Sequence, residues 1–545
     1  MWRKFAWAGA RRLAGRDKPG AAPLLSMPDL ERALWAIGGT ALLINLWRNR
    51  FYIVDDAYVS LRYAVNLLDH GDLSWNLGER VEGYTNLLHL LVTAALGALG
   101  FDLVQAVQLV NLAALGLLLW SFHRCALVIA PAHGLARAIG GGVLLGSTQI
   151  ALWVWGGLEG LMVAALVTAA HLPLLGAVLG RERPDLRRLL GAGVLFGLAG
   201  ATRPDAFLFV GAAGVALLLV ETWAWRLRLV AAVTVGLLPA LAVVALTAWR
   251  LRYYGDIVPN TFYAKTAFDL SFRMASGARY LLAAAMQAPL LLGAGIAIGN
   301  ARGALPWPSR LLGIGAVLYL LYVMSVGGDY MAGTRMAVPV FGLAALLLVE
   351  AMTRTEEQHV RHWATAALLV IVTLATLIRA EKMEPGAYLG RIVGEYIAQT
   401  WPREAVVAVN CVGSTPYYAP QHRFVDMLGL NDRTVAKRPI TELRLPTQSW
   451  PGHAKGDGAY VLSRRPDYII PGPADGLPVD EPWFLGDAEL ADLAEFRRCY
   501  REETADIPYD PAFERQGRRW RPNPLVLTYY RRICDAEGRT LAAGK

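Results

Sequence analysis

The stretch Asp55-Asp56-Ala57-Tyr58-Val59-Ser60-Leu61-Arg62-Tyr63 comes just after the first apolar segment of the chain, which spans about residues 33–47. Two neighbouring carboxylates therefore stand where the chain leaves a segment that can enter a lipid bilayer. Ionised groups in that position are costly to desolvate, and proteins keep them there mainly for function. We therefore expect the pair to belong to an active site that faces water beside lipid.

The composition around this stretch indicates an integral membrane protein. Of the 545 residues, 55% are hydrophobic and 18% are charged, whereas soluble proteins have roughly 25% charged residues. The mean hydropathy is +0.35. Leu, Ala, Val and Gly dominate the apolar runs, which favours helices over the alternating strands of a barrel. The sequence thus predicts a multi-pass α-helical membrane protein.

Positive charge predicts the orientation of the helices. The net charge is +9, and the excess lies near the N-terminus and in short loops such as 181–188 and 300–310. This pattern is typical of cytoplasmic segments and not of nucleic-acid binding. The loops 51–86, 250–279 and 327–336 and the tail then face outside. Twelve apolar runs recur, but the first loop and the tail share a side only if the number of spans is odd. We therefore expect about eleven spans.

Residues 381–545 differ in composition and predict a small extracytoplasmic α/β domain. Short strand-like pieces occur at 405–409, 423–427 and 468–470. Cys499 and Cys534 can pair in an oxidising compartment, although the sequence alone does not decide this. The predicted organisation is a basic cytoplasmic N-terminus (1–30), a transmembrane domain (31–380) with a catalytic first outer loop (51–86), and this outer domain (381–545).

The two aspartates have two interpretations. A helical pattern follows them, and Asp is a good helix N-cap. A cap explains one carboxylate and leaves the second without a reason. A general base takes a proton from an attacking hydroxyl, and a neighbouring like charge raises the pKa of one carboxyl towards neutral pH. We therefore predict Asp55 and Asp56 as the catalytic residues, without choosing between them.

Further polar residues gather at the predicted membrane edges. Those at the end of the first loop favour recognition of a sugar or a lipid headgroup. Arg203, Lys265 and Arg335 are candidate partners of a lipid phosphate. Each group alone also fits an ordinary loop, and Arg203 with Asp205 fits a local ion pair. The candidate donor- or acceptor-binding residues are Arg62, Glu82, Tyr84, Thr85, Asn86, Glu159, Arg203, Asp205, Asn260, Tyr263, Lys265, Asp329 and Arg335.

The ordered series of motifs resembles the GT-C fold membrane glycosyltransferases, in their AftB-like arabinofuranosyltransferase branch. The resemblance extends from about residue 50 to about residue 470 and begins with the run 55–86. The later motifs are Gly157-Leu158-Glu159, Thr202-Arg203-Pro204-Asp205, Tyr254-Gly255-Asp256, Pro259-Asn260-Thr261-Phe262-Tyr263-Ala264-Lys265, Gly327-Gly328-Asp329-Tyr330, Asp426-Met427-Leu428-Gly429-Leu430-Asn431-Asp432 and Gly452-His453-Ala454-Lys455.

This resemblance implies a GT-C fold in the bacterial plasma (inner) membrane. It also implies an inverting transfer of a sugar, typically arabinofuranose, from a polyprenyl-phosphate donor to an envelope glycan or a glycoprotein. One aspartate of the pair would activate the acceptor hydroxyl, and nearby cations would stabilise the departing polyprenyl phosphate. Such enzymes often work without an essential metal. We predict no certain cofactor and leave open a divalent cation at the adjacent aspartates.

Two other functions remain as alternatives. Charges on broken membrane helices also suit a transporter or flippase of lipid-linked sugars. Against this, the polar residues gather on one face and no inverted repeat is evident. An assembly scaffold that binds glycans through its tail, without chemistry, is the third hypothesis.

Overall fold

The computed structural model describes residues 26–265, 268–300, 304–377, 380–517 and 521–535. Nearly all of the predicted basic segment 1–30 lies outside these residues. The described part comprises a large helical domain, followed by a tail that contains a five-stranded sheet.

The helical domain is built from α1 to α16, with 3-10 turns at Pro204–Ala206 and Ala332–Val340. The helices are Met27–Arg48 (α1), Asp55–His70 (α2), Leu87–Ala98 (α3), Leu103–Ile129 (α4), Gly134–Gly146 (α5), Thr148–Trp155 (α6), Gly160–Val178 (α7), Leu186–Thr202 (α8), Phe207–Leu218 (α9), Trp225–Tyr254 (α10), Asn260–Lys265 (α11), Leu270–Gln287 (α12), Pro289–Gly299 (α13), Trp307–Ser325 (α14), Phe341–Met352 (α15) and Glu357–Leu377 (α16).

Burial separates the central helices from the outer ones. In α7, 78% of an apolar stretch of 18 residues is buried inside the protein, and the helix packs against α4 and α8. In α10 the corresponding value is only 17%. An apolar helix with so little protein contact faces lipid, whereas one covered on all sides belongs to the core. The protein is therefore a membrane protein with α7 near its centre.

The number of long apolar helices differs from the sequence prediction. Six helices of the described chain are long and apolar enough to cross a membrane, or up to eight if each bent pair is one span. The prediction was about eleven. Two of the apolar runs form only the short helices Leu87–Ala98 and Pro204–Leu218, and two others break at bends of 45° and 96°. Apolar composition identifies a segment that can enter the membrane, but it does not determine how long an unbroken helix that segment forms.

The tail begins at α17 and folds around a mixed sheet. Its helices are Pro385–Thr400 (α17), Ser414–Tyr418 (α18), Arg433–Lys437 (α19), Gly458–Ser463 (α20), Leu485–Asp492 (α21) and Ala494–Cys499 (α22), and its strands are Val406–Val409 (β1), Arg423–Asp426 (β2), Tyr468–Ile470 (β3), Tyr500–Ile507 (β4) and Leu525–Arg532 (β5). The order is β2-β1-β3-β5-β4. β1 is parallel to β2 and β3, and β5 is antiparallel to β3 and β4.

The three strands predicted from the sequence are confirmed, and two were missed. β4 is a charged edge strand, and charged edges are how sheets avoid further pairing. β5 carries the β-branched and aromatic run Leu525-Val526-Leu527-Thr528-Tyr529-Tyr530, which could have identified it. A disulfide between Cys499 and Cys534 joins the adjoining ends of these two strands.

The tail is fastened to the first loop of the helical domain. Asn76 donates from Nδ2 to the Phe424 carbonyl (2.7 Å) and accepts at Oδ1 from the Phe424 N–H (3.1 Å). Glu79 forms ion pairs with both Arg423 and Arg464. The segment between α2 and α3 therefore packs against β2, and this contact brings the Asp55-Asp56 pair to the junction of the two parts.

Candidate active site

A cavity of about 550 Å³ lies at this junction. Its walls come from the start of α2, the end of the first loop, α11, the 327–336 segment and the tail. Eleven of the fifteen residues predicted from the sequence line it: Asp55, Asp56, Tyr84, Thr85, Asn86, Glu159, Arg203, Asp205, Lys265, Asp329 and Arg335. Most of the dispersed motifs thus meet in one place.

Asp55 fastens the tail to the helical domain. Its carboxylate accepts hydrogen bonds from the N–H groups of Gly413 (3.0 Å) and Ser414 (2.7 Å), and its own N–H donates to Glu384 Oε2 (2.7 Å). The approach is so close that a Cβ on Gly413 would lie 1.9 Å from the Asp55 carbonyl oxygen. Both oxygens of Asp55 are therefore engaged in structural contacts.

The helix-cap interpretation of the pair is wrong. The N-cap of α2 is Val54, which makes no side-chain capping bond, and both aspartates lie in the first turn. There they benefit from the positive end of the helix dipole. Neither carboxylate caps the helix, because that of Asp55 hydrogen-bonds to the tail and that of Asp56 lines the cavity.

Asp56 is the carboxylate available to a ligand. Its side chain is 29% exposed, and its one ion-pair contact among the described residues is with Arg335, whose Nη1 lies 3.8 Å from Oδ2. Within that same part of the chain, no hydrogen bond to this carboxylate is formed. A carboxylate with open oxygens on a cavity wall has the geometry required of a general base.

Glu384 forms a second acidic pair with Asp55. Burial raises the pKa of Asp55 to about 6, and the neighbouring charge of Asp56 adds to the rise, against hydrogen bonds from Ser414 and Gly413 that lower it. Burial also raises the pKa of Glu384 to about 8, with a further contribution from the Asp55 charge. At neutral pH the buried Glu384 therefore retains its proton.

Two of the predicted phosphate partners are already occupied by carboxylates. Arg203 pairs with Glu159 (2.8 Å) and with Asp205 (2.6 Å). Arg335 pairs with Asp329 (2.5 Å) as well as approaching Asp56. Burial opposes ionisation of Asp329, but Arg335 and Lys265 outweigh it and hold the pKa of that carboxyl below its usual range. These clusters shape the floor of the cavity more than they supply free positive charge.

Lys265 and Arg273 are the cations that remain available. Both line the cavity, and neither has an ion pair with a carboxylate in the described part of the chain. The Nε atom of Arg273 is buried and has no hydrogen-bond partner there. An unpaired buried donor of a cation is costly unless a ligand satisfies it. Sequence reasoning missed Arg273, although an arginine early in the largely apolar helix Leu270–Gln287 was a usable signal.

The end of the first loop lines the cavity with one open hydroxyl. Tyr84 and Tyr254 share a hydrogen bond between their hydroxyl groups (2.9 Å). Asn86 accepts at Oδ1 from Ser60 (3.0 Å). Thr85 is half-buried and makes no side-chain hydrogen bond among the described residues, so its hydroxyl is the group that can meet a ligand.

Four predicted binding residues lie outside the cavity and join parts of the protein instead. Arg62 donates to the carbonyls of Trp75, Pro416 and His422. Glu82 forms a buried ion pair with Arg250, Asn260 donates to the carbonyls of Gly429, Leu430 and Asp432, and Tyr263 donates to Asp256 (2.9 Å). Polar residues at a domain junction resemble binding residues in sequence, because both kinds interrupt apolar runs.

The tail supplies several cavity residues that the sequence did not identify. These are Glu384, Asn410, Cys411, Trp450, His453, Trp483 and Phe484. The motif Gly452-His453-Ala454-Lys455 is part of the family resemblance, but the sequence assigns it no role. Nothing in the local sequence distinguishes these residues, since only the folded tail brings them opposite α2.

The described residues do not assemble a metal site. No group of three or more His, Cys, Asp or Glu side chains is arranged there to hold a metal ion. The Asp55 oxygens already accept two backbone N–H groups, and Asp56 lies beside a cation. This donor set does not fit a divalent ion.

The fold of the helical domain is the GT-C fold of membrane glycosyltransferases. A crystal structure of ArnT from Cupriavidus metallidurans, bound to undecaprenyl phosphate, superposes with a TM-score of 0.50 over 72% of this chain and 85% of that one, at 12% sequence identity. At this identity the likeness concerns the fold alone.

Among curated proteins, the chain is similar to terminal beta-(1->2)-arabinofuranosyltransferases. It is 28% identical over 351 residues to that of Mycobacterium tuberculosis, a match covering 57% of this chain and 55% of the relative. It is 28% identical over 388 residues to that of Corynebacterium glutamicum, covering 61% and 52%. The matches thus span about half the length of these relatives. Residues 376–520 match a family described as "Domain of unknown function (DUF8728)".

Proposed function

We propose that the protein transfers a sugar, arabinofuranose, from a polyprenyl-phosphate donor to a glycan or glycoprotein of the cell envelope. The similarity to named arabinofuranosyltransferases supports the sugar, and the GT-C fold supports a lipid-linked donor. The observation that carries the proposal is the cavity itself. There the open carboxylate of Asp56 shares one space with Lys265 and Arg273, two cations that have no carboxylate partner among the described residues.

This arrangement supports a transfer in one step. The acceptor hydroxyl oxygen attacks the anomeric carbon of the donor sugar while the bond from that carbon to the phosphate oxygen breaks. Asp56 takes the hydroxyl proton. Polyprenyl phosphate leaves with the bonding electrons, and Lys265 and Arg273 balance its increased negative charge. A single displacement of this kind inverts the anomeric configuration.

The neighbouring residues hold these groups in place. Arg335 stands between Asp329 and Asp56, so it fixes the position of the base without neutralising it through a close contact. Asp55 keeps the start of α2 against the tail. We assign Arg335 and Asp55 positioning roles and reserve the catalytic role for Asp56.

We further propose the orientation expected from the sequence, in a bacterial plasma (inner) membrane. The basic N-terminus would be cytoplasmic, and the active site and tail would lie outside. The arginine-rich loop 181–188 supports this assignment. The Cys499–Cys534 disulfide supports an oxidising location for the tail. An outer site admits a donor from the bilayer and an acceptor from the aqueous side.

Matched Asp→Asn variants test the assignment. Purified protein in lipid nanodiscs is given a polyprenyl-phosphate arabinofuranose donor and an arabinofuranose oligosaccharide, and product is followed by mass spectrometry. We expect Asp56→Asn to lower kcat by about 100-fold or more with the KM for donor little changed, because the base is lost. Asp55→Asn keeps an acceptor for one N–H, and its smaller loss should accompany a lower melting temperature.

Three outcomes would contradict this proposal. Full activity of Asp56→Asn would show that Asp56 is not the general base. A kcat loss confined to Asp55→Asn would make Asp55 the general base instead of Asp56. If wild-type protein reconstituted in lipid vesicles moved the donor across the membrane without forming any product, that result would indicate a flippase and not a transferase.

A further inference from the structure

Five aromatic side chains that line the cavity form a row. Tyr330 and Trp450 lie nearly parallel, with ring centres 6.2 Å apart, and His453 meets both edge-on at 5.0 and 5.8 Å. Phe484 stacks on His453 at 5.7 Å, and Trp483 stacks on Phe484 at 6.4 Å. We call these five side chains the aromatic row. They line the same cavity as Asp56.

The aromatic row keeps part of its surface open. Tyr330 is 45% exposed, Trp450 40% and Trp483 36%. Large exposed aromatic groups that border a cavity mark a surface for a ligand. Four of the five residues belong to the tail and not to the membrane helices, so the row is not a belt of interfacial aromatics on a span.

Buried side chains hold the loops that carry the row. Gln448 is fully buried, accepts from the N–H groups of Arg444 (2.7 Å) and Leu445 (2.9 Å), and donates to the Ala454 carbonyl (3.3 Å). Asp487 accepts from the Phe484 N–H (3.0 Å). Loops braced in this way present a surface that is already shaped for its ligand, which lowers the entropic cost of binding.

Asn410 adds an unsatisfied polar group beside the row. It is 4% exposed and lines the cavity. Its Nδ2 donates to Asp487 Oδ1 (2.9 Å), which fixes the amide orientation, while its Oδ1 has no hydrogen-bond partner among the described residues. A buried acceptor without a partner is rare and calls for a donor from a ligand.

We propose that the aromatic row and Asn410 form the subsite for the sugar rings of the acceptor. This inference rests on the proposed function and deepens it by assigning the tail a part in acceptor recognition. A sugar ring offers polarised C–H groups to the negative face of an aromatic ring and a hydroxyl to Asn410 Oδ1. A prenyl chain would satisfy the aromatic surface but would leave that oxygen without a donor.

Substitutions at Trp450 test the subsite in the full-length protein. The probe is a soluble arabinofuranose hexasaccharide, and the readouts are its KM, the KM of the donor and the slow release of free sugar from the donor without acceptor. We expect Trp450→Ala to raise the KM of the hexasaccharide by about threefold to tenfold. Trp450→Phe should retain most of the affinity. Donor KM and donor hydrolysis should remain unchanged in both.

Trp120→Ala is the matched control, because Trp120 is 54% exposed on α4 and does not line the cavity. It should behave as wild type. Saturation-transfer NMR of the hexasaccharide gives a second readout without catalysis, with weaker transfer expected for Trp450→Ala. Unchanged transfer and unchanged KM would overturn the subsite. An equal rise in donor KM would assign the row to the donor. A wild-type protein that binds the hexasaccharide through Trp450 but consumes no donor would contradict the proposed function alone.

Discussion

At the scale of single residues, two identical neighbours acquire different roles. Successive residues on a helix point roughly 100° apart, so Asp55 meets the tail while Asp56 meets the cavity. The sequence predicted the pair but could not divide the roles. The partners of Asp55, namely Gly413 and Ser414, lie 358 and 359 residues further along the chain.

The acidic pair of Asp55 and Glu384 should make stability depend on pH. Burial raises the folded-state pKa of Glu384 to about 8. Between its unfolded value near 4.5 and this folded value, the folded state binds more protons than the unfolded state, so stability falls as pH rises. We expect the melting temperature to decline from about pH 5 to pH 8. Glu384→Gln, which keeps an acceptor for the Asp55 N–H, should flatten the decline. A profile unchanged by Glu384→Gln would argue against a buried neutral Glu384.

Arg273 should matter for the donor and not for the acceptor. Loss of its charge-assisted contact with phosphate should raise the donor KM by roughly tenfold or more in Arg273→Gln. Arg279 is a matched control on the same helix, since it is exposed and bonds only to Ser276 Oγ (3.2 Å) among the described residues. Donor titrations of both variants give the comparison. If Arg273→Gln and Arg279→Gln changed the donor KM equally, Arg273 would not be a phosphate-binding residue.

At the scale of elements, α2 is the part that joins the two domains. Its Arg62 is 3% exposed and donates to three backbone carbonyls, two of them in the tail. The guanidinium also lies over the rings of Trp75 (5.2 Å) and Phe424 (5.0 Å). Predicted as a binding residue, it serves instead as a buried connector, because only a side chain with several donors can satisfy carbonyls from separate segments.

Removal of this connector should loosen the tail. Arg62→Met leaves the buried carbonyls of Pro416 and His422 without this donor, while the Trp75 carbonyl keeps its bond from Asn66 (3.1 Å). The loss should cost about 2–4 kcal/mol of stability in total. The melting temperature of the purified protein should fall, and hydrogen exchange should accelerate in residues 414–424. Arg403→Met, at an exposed position of the tail, is the control. Equal stability of the two variants would show that Arg62 does not hold the joint.

The sequence predicted the elements of this protein better than their ends. Apolar runs located the membrane helices, and β-branched runs located β1, β2 and β3. The 96° bend between α12 and α13 is set by tertiary packing and by Pro289, and run length alone did not predict it. Charge located most of the ionisable Asp, Glu, Lys and Arg residues that line the cavity, with Arg273 and Glu384 missed. The aromatic row escaped prediction, because its members are separated in sequence and each resembles an ordinary core or loop residue.

At the scale of the whole molecule, the disulfide offers a test of orientation. Among the described cysteines, Cys499 and Cys534 are bonded and Cys125 and Cys411 are free. If the tail lies outside, a membrane-impermeant reductant followed by an impermeant maleimide should label Cys499 and Cys534 in intact cells. Cys125, which lies within the candidate membrane span Leu103–Ile129, should remain unlabelled. The fraction labelled is read by mass spectrometry of tryptic peptides. Labelling only after cell lysis would place the tail in the cytoplasm.

The contact between Asp55 and Gly413 also has a consequence for biogenesis. During synthesis, the helices up to α16 emerge before the tail segment that satisfies Asp55 has been made. A ribosome-bound or prematurely terminated chain can therefore insert its helices into the bilayer while the cavity still lacks the wall that the tail supplies. If the cavity is the active site proposed above, a chain acquires it only after its tail has been made, and this joint would then make activity depend on completed synthesis.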